Sequence, residues 1–377
     1  MKKTIFLTVA ATLLILAASC AQSKKNNEEQ TPSPATESIE QAVEIPSIVY
    51  AAGEETTANG KWVATLWIDG KPLRLAGEKL NSFAHSVFIT EDNTVYVAGD
   101  MDGATLWTIR DNKVTSLILE KPRRYFHELK GEYFTTSSAA YSVCVSPNGE
   151  VYVAGTDDGK AVIWKVAGTK VSKQELARIE EFDSSYAYSI YVTPNGDVYA
   201  AGYQQNYNTE WFASLWINGE LHILSEAEQG ASAHCVHVTG KGDVYVAGDA
   251  MLSNNPVAVI WKNQAIVPLA DIATETSTYA QSVFVAGNGD VYAAGYEKDS
   301  EGRNFTAVVW KNKTKQILPD DTQKAFAESI YVEQGNVYVS GYTGNTAMLW
   351  KNGTPQSLTN GSTSANARCV FVKTINN

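Results

Sequence analysis

The chain has 377 residues, with 30 Lys and Arg against 41 Asp and Glu and a formal net charge of −11. That balance excludes a nucleic-acid partner, which needs a basic surface. Four cysteines in no CxxC spacing, and no HExxH, give neither a disulfide framework nor a metal site, and nothing calls for a cofactor.

Residues 1–19 read as a secretory signal. Lys2 and Lys3 precede an apolar run from Ile5 to Ala18, shorter than the roughly 20 residues needed to span a bilayer. The run ends in "LAASC", and small residues immediately before a cysteine resemble the lipobox of bacterial lipoproteins. The resemblance implies that Cys20 carries lipid and begins the mature chain. At about 0.8 kcal/mol per buried CH₂, several acyl chains would anchor it to a membrane. Ala21, rather than Asp, implies outer-membrane sorting in a Gram-negative envelope. Without the signal, 28 basic residues face 41 acids, a formal charge of −13. Residues 20–46 are polar and aromatic-free and include Pro32 and Pro34. Such a segment buries too little surface to offset its ordering entropy, so a flexible tether is expected.

Residues 47–377 are built on a repeat. "VYVAGDMDGATLW" (Val95 to Trp107) returns as "VYVAGTDDGKAVIW" (Val151 to Trp164), and the phrase occurs seven times. Its glycines are Gly53, Gly99, Gly155, Gly202, Gly248, Gly295 and Gly341, so the spacing is 46 or 47 residues except for one interval of 56. Its tryptophans are Trp67, Trp107, Trp164, Trp216, Trp261, Trp310 and Trp350. Each unit holds four short runs rich in Val, Ile, Tyr and Trp, separated by turns such as Pro194-Asn195-Gly196 and Asn218-Gly219. A period in the forties with four strands per unit predicts an all-β, seven-bladed β-propeller of four-stranded antiparallel blades. The first unit lacks the opening run that every later unit has, and "RCVFV" (Arg368 to Val372) is an opening run with nothing after it. The last strand is therefore expected to complete the first blade and close the ring, which also removes an exposed edge. The tryptophans are expected between blades.

Opening strands read Ala-x-(Ser/Cys)-(Val/Ile), with the small residue at Ser86, Ser142, Ser189, Cys235, Ser282, Ser329 and Cys369. Crowding at the axis accounts for that choice, and makes both cysteines ordinary small side chains. The position before it is polar or aromatic: Arg368, His85, Tyr141, Tyr188, His234, Gln281 and Glu328. These seven are the candidate ligand-binding ring at the channel mouth, with an ion pair expected between Glu328 and Arg368. The turns after the first and third strands are short, so that end of the disc is expected to bind little. The other end collects longer connections such as "YQQNYNTEWF" (Tyr203 to Phe212), and binding residues favour such loops on a rigid frame. Trp62, Trp211 and Phe305 stand two residues before the repeated Ala of the third strand, where they either stack on a ligand or cap the core. The long interval contains "LEKPRRYFHELKGEYF" (Leu119 to Phe134), whose Arg124 is a candidate contact to an anion or a partner. Asp100, Asp102, Asp157 and Asp158 are too few for calcium at their spacing and read as turn carboxylates.

The units "VFVAGNGDVYAAGYEKD" (Val283 to Asp299) and "AVVWKN" (Ala307 to Asn312) resemble a broad set of largely uncharacterised bacterial propeller lipoproteins built on SVFV, VYVAGY and LWKNG repeats. The resemblance runs from Ser47 to Val372 and implies a fold and an envelope location, without an activity. The leading expectation is a non-catalytic, membrane-anchored propeller that binds a glycan, a peptide, another small molecule or a protein through its loop-rich face. An envelope lyase or hydrolase is the first alternative, with His85, His234 and Glu328 as acid/base groups. A scaffold subunit of an envelope complex is the second.

Overall fold

The computed structural model describes residues 46–127, 132–225, 230–272 and 275–375. The signal, Cys20 and nearly all of the tether lie outside these residues. The described chain is all-β: seven four-stranded antiparallel sheets surround an axis, plus one two-stranded hairpin. Blade 2 shows the plan. Its strands, from axis to rim, are Phe83–Ile89, Val95–Asp100, Ala104–Arg110 and Lys113–Glu120. Blades 3 to 7 begin with inner strands Ser138–Val145, Phe182–Val192, Ala231–Val238, Ser277–Val285 and Ala325–Glu333. Blade 1 is composite. Its inner strand is Ala365–Thr374, which pairs antiparallel with Ser47–Thr56 from Ser47↔Thr374 to Glu55↔Ala365. The ring of seven is closed by the C-terminal strand, as the repeat predicts.

The seven repeat tryptophans have at most 1% of their surface exposed and pack in the clusters between blades. Burying each large ring accounts for why one indole recurs per unit, since truncating a buried Trp costs about 3–5 kcal/mol. The Asn-Gly turns after the third strand have a second function beyond reversing the chain. Asn218 (φ 52°) and Asn352 (φ 52°) adopt the left-handed conformation that asparagine tolerates. Their amide oxygens then accept the backbone N–H of Val198 at 2.9 Å and Val337 at 2.8 Å, tying the third strand's turn to the second strand's start.

Each inner strand carries a β-bulge at the same place. In blade 2 the pairing steps from Ala84↔Gly99 to Ser86↔Ala98, leaving His85 unpaired. The step recurs at Tyr141, Tyr188, His234, Gln281, Glu328 and Arg368. A bulge breaks the two-residue alternation of a strand. The ring residue and the small residue after it therefore both face the channel, while the flanking Ala and Val point into the core. The same kink dictates the repeat glycine. An added Cβ on Gly202 would stand 1.8 Å from the Tyr186 carbonyl oxygen, and on Gly99 1.9 Å from that of Phe83. None of the seven needs a positive φ; the close approach of the bulged backbone excludes every side chain.

Candidate functional site

Side chains line the channel in layers, one from each channel-facing position of the inner strands. Beginning at the end with the short turns, the first layer is Phe88, Cys144, Tyr191, His237, Phe284, Tyr331 and Phe371, three residues past the bulge. Five successive pairs among them, from Tyr191–His237 through Tyr331–Phe371 to Phe371–Phe88, have ring centroids 4.9–5.4 Å apart. This near-complete aromatic girdle narrows the channel at that end. Burial drives the His237 imidazole down to about 4, so it sits there neutral.

The second layer is the Ser/Cys set, which does more than save space. Ser86, Ser142, Ser189, Ser282 and Ser329 each accept a backbone N–H from the next blade's inner strand, at 3.1–3.3 Å. Cys235 Sγ lies 3.8 Å from the Val283 carbonyl oxygen. The hydroxyls thus stitch neighbouring blades around the axis. Burial raises both thiols, Cys235 and Cys369, above the ordinary cysteine range.

The third layer is the predicted ring. His85, Tyr141, Tyr188 and His234 make contact in succession, with ring centroids 5.5, 4.8 and 6.2 Å apart. Burial first, then Asp100 for Tyr141 and a hydrogen bond with Tyr203 for Tyr188, push both tyrosine hydroxyls above the ordinary range. Glu328 and Arg368 do not pair as the sequence predicts. Arg368 instead donates from Nε and Nη2 to Glu54, at 2.8 and 2.7 Å, and Asn366 Nδ2 donates to the same carboxylate at 2.8 Å. Burial disfavours the guanidinium charge, but Glu54 outweighs it and the pKa rises. Glu54 wins the contact because it lies across the strand pair, one residue after the repeat Gly53, beside the bulge that carries Arg368.

The same cross-strand position supplies partners elsewhere. His85 Nε2 is 3.0 Å from Asp100 Oδ1, and His234 Nε2 is 2.9 Å from Asp249 Oδ1. Asp100 is therefore no simple turn carboxylate. Nor is Asp157, which is 4% exposed and bonded to Arg123 at 3.1 Å and Lys173 at 2.6 Å. In the other blades this position is Thr156, Tyr203, Tyr296 and Tyr342. Among the described residues, Gln281 and Glu328 have no hydrogen-bond partner for their side chains. Burial, only partly opposed by Arg368, raises the Glu328 carboxyl above the ordinary range.

The rim tryptophans join the ring. Trp62 contacts Phe83 at 6.2 Å, and Phe83 stacks on His85 at 6.5 Å. On the far side Tyr188 meets Tyr203 at 5.6 Å, and Tyr203 stacks with Trp211 at 5.3 Å. Trp62, Phe83, His85, Tyr141, Tyr188, Tyr203 and Trp211 thus form one unbroken arc of aromatic rings. Trp211, at 45% exposed, is not a core cap. Phe305 belongs to a second group, 4.8 Å from Phe326. Arg124 stands apart from both. It lies on the hairpin Arg124–His127/Glu132–Thr135, its guanidinium 4.3 Å from the Tyr133 ring centroid. The tip of that insertion lies outside the described residues.

The end with short turns is not featureless. A cleft of about 960 Å³ opens there between blades 2 and 3, beside Tyr96, Arg110, Asn148 and Thr169, and another of about 530 Å³ between blades 1 and 2. Blades diverge from the axis outward, and short turns leave the wedges between them unfilled. Such wedges recur at blades 5/6 and 6/7, so they belong to the architecture and mark no single site.

No family model and no curated protein matches the chain. Among solved structures, a puromycin-hydrolyzing peptidase of Mycobacterium tuberculosis is similar at TM-score 0.51 and 12% identity, over 82% of this chain and 53% of that one. The chain thus spans about half the length of that peptidase. A luciferin-regenerating enzyme is similar at TM-score 0.42 and 11% identity, over 68% of this chain and 83% of the other. A protein of unknown function from Bacteroides caccae is similar at TM-score 0.40 and 12% identity, over 73% and 96%. At 12% identity the likeness to the peptidase is one of fold alone, and the site must be read from this chain's own residues.

Proposed function

We propose that this protein is a lipid-anchored propeller of the cell envelope that binds a glycan, a peptide or another small molecule at the channel mouth on its loop-rich end, without chemical change. One observation carries the binding reading: the arc of seven aromatic rings from Trp62 to Trp211. Rings kept for stability alone would be buried like the repeat tryptophans. This arc instead runs from the channel interior to an exposed indole, with hydroxyl and imidazole edges beside its faces. Such rings bury a large apolar area on contact and leave a polar edge wet, which suits a ligand with one flat apolar face. The anchor rests on the "LAASC" signal and Cys20.

A glycan and peptide binding screen of the secreted chain tests this. Trp211→Ala and His85→Ala should each weaken binding about tenfold or more, while Arg124→Ala should leave it within twofold. Full affinity in both arc variants would remove the mouth as the site. The His85–Asp100 and His234–Asp249 pairs favour a second reading, an envelope hydrolase or lyase using one imidazole as base. It requires turnover of a bound ligand that His85→Gln or His234→Gln abolishes while binding persists.

A further inference from the structure

We infer that the mouth selects ligands bearing a protonated amine, which it places against Glu328 and the aromatic wall of blades 6 and 7. The inference rests on the proposed mouth site and adds the ligand's charge.

The argument begins with the charges around the axis. Among the described residues, the carboxylates Glu54, Asp100, Asp249 and Glu328 face the guanidinium of Arg368 around the axis. That guanidinium is consumed by Glu54, which it contacts through two nitrogens. Asp100 and Asp249 are engaged by their histidines. Glu328 is left over. It is the bulged residue of blade 7, half-buried and directed into the channel, with no hydrogen-bond donor on it among the described residues. A carboxylate taken from bulk water without a partner is costly. A ligand cation removes that cost, and an ammonium does so with charge-assisted hydrogen bonds.

The walls around Glu328 favour a cation too. Register pairs Phe326 with Tyr342 beside it, and Tyr279 with Tyr296 on blade 6. Tyr279–Tyr296, Tyr296–Phe326 and Phe326–Tyr342 have centroids 4.8 Å apart in each case, a continuous aromatic surface. Ring faces attract cations, most strongly where water is scarce. The phenols of Tyr296 and Tyr342 are raised by burial first and also by Glu328, which puts its carboxyl within electrostatic reach of both. Arg368, Glu54 and His234 are the other charged or titratable groups that act on Glu328. A neutral ligand gains the aromatic contacts alone, and an anion meets net negative charge. An amine gains from both.

The test uses two probes of matched shape, 4-fluorobenzylammonium and 4-fluorobenzyl alcohol, titrated into the secreted chain and followed by ¹⁹F NMR. The ammonium is expected to bind on the order of tenfold tighter than the alcohol. In Glu328→Gln, which keeps shape and removes charge, the two probes should bind about equally. Equal binding of the two probes to the native chain would overturn the inference and leave the mouth site standing. A preference that survives Glu328→Gln would equally overturn it, since the charge would then lie elsewhere. If neither probe binds, the inference is overturned as well, and the glycan and peptide screen decides the mouth site separately. Should Glu328→Gln not fold, the ratio measured on the native chain still decides.

Discussion

The Glu54–Arg368 pair joins the first strand of the propeller to its last, and removing the two partners separately should cost unequal amounts. Glu54 is 1% exposed at its side chain, whereas Arg368 keeps 34% of its side chain in contact with water. Arg368→Met leaves a buried carboxylate with one neutral donor, Asn366 Nδ2 at 2.8 Å. Stranding a buried charge this way costs about 3–5 kcal/mol. Glu54→Gln leaves a guanidinium that can turn to the channel water and still meet the Gln carbonyl, at about 1–2 kcal/mol. At roughly 2 °C per kcal/mol for a domain of this size, thermal midpoints should fall by about 6–10 °C and about 2–4 °C. The double variant should lose less than the sum, with a coupling of about 1–3 kcal/mol. Urea unfolding of the four proteins at neutral pH completes the cycle. If Arg368→Met proves no more harmful than Glu54→Gln, or the two effects simply add, the pair does not hold the ring closed.

Two further outcomes follow from the same geometry. Gly202→Ala should destabilise by at least about 3 kcal/mol, because its Cβ meets only backbone, the Tyr186 carbonyl oxygen at 1.8 Å and carbon at 2.8 Å. Gly287→Ala, with nothing within 4 Å, should be neutral or slightly stabilising, and denaturant midpoints compare the two. His237 should make the fold acid-sensitive. Its folded pKa is pushed down to about 4 from 6.5, so the unfolded chain binds the proton more readily between those values. The stability it contributes is complete above pH 6.5 and disappears as pH falls toward 4, on the order of 3 kcal/mol. His237→Phe should flatten that part of the stability–pH curve; an unchanged slope would show the ring to be hydrated and protonated freely.

Much of the architecture is legible in the residues because repetition makes weak signals add. A single phrase running from the repeat glycine to the repeat tryptophan says little, but seven of them specify seven blades, and the incomplete first and last units specify how the circle closes. Ring position and rim position are legible too, since aligning the units puts His85, Tyr141 and Tyr188 in one column and Trp62 and Trp211 in another. The pairing partners are written there as well: both units with His in the ring column have Asp after the repeat glycine, and the one with Arg has Glu. In sequence alone Asp100 looks like part of a turn, because Asp102 and Gly103 follow it.

What sequence cannot say is which way a side chain points once a strand departs from strict alternation. The bulge does this in every blade, and a bulge exists only as a hydrogen-bond register between two strands. It turns two consecutive residues toward the axis, so that the ring column and the Ser/Cys column share the channel. It brings a backbone carbonyl against the repeat glycine, and it moves Arg368 within reach of Glu54. With Arg368 engaged there, the Glu328 side chain is left without a hydrogen-bond partner among the described residues. Composition and period determined how many blades form and where their turns lie, because those depend on local propensity and burial summed over the repeat. Which charges meet across the channel depends on distances between strands far apart in the chain, and only the closed tertiary structure decided that.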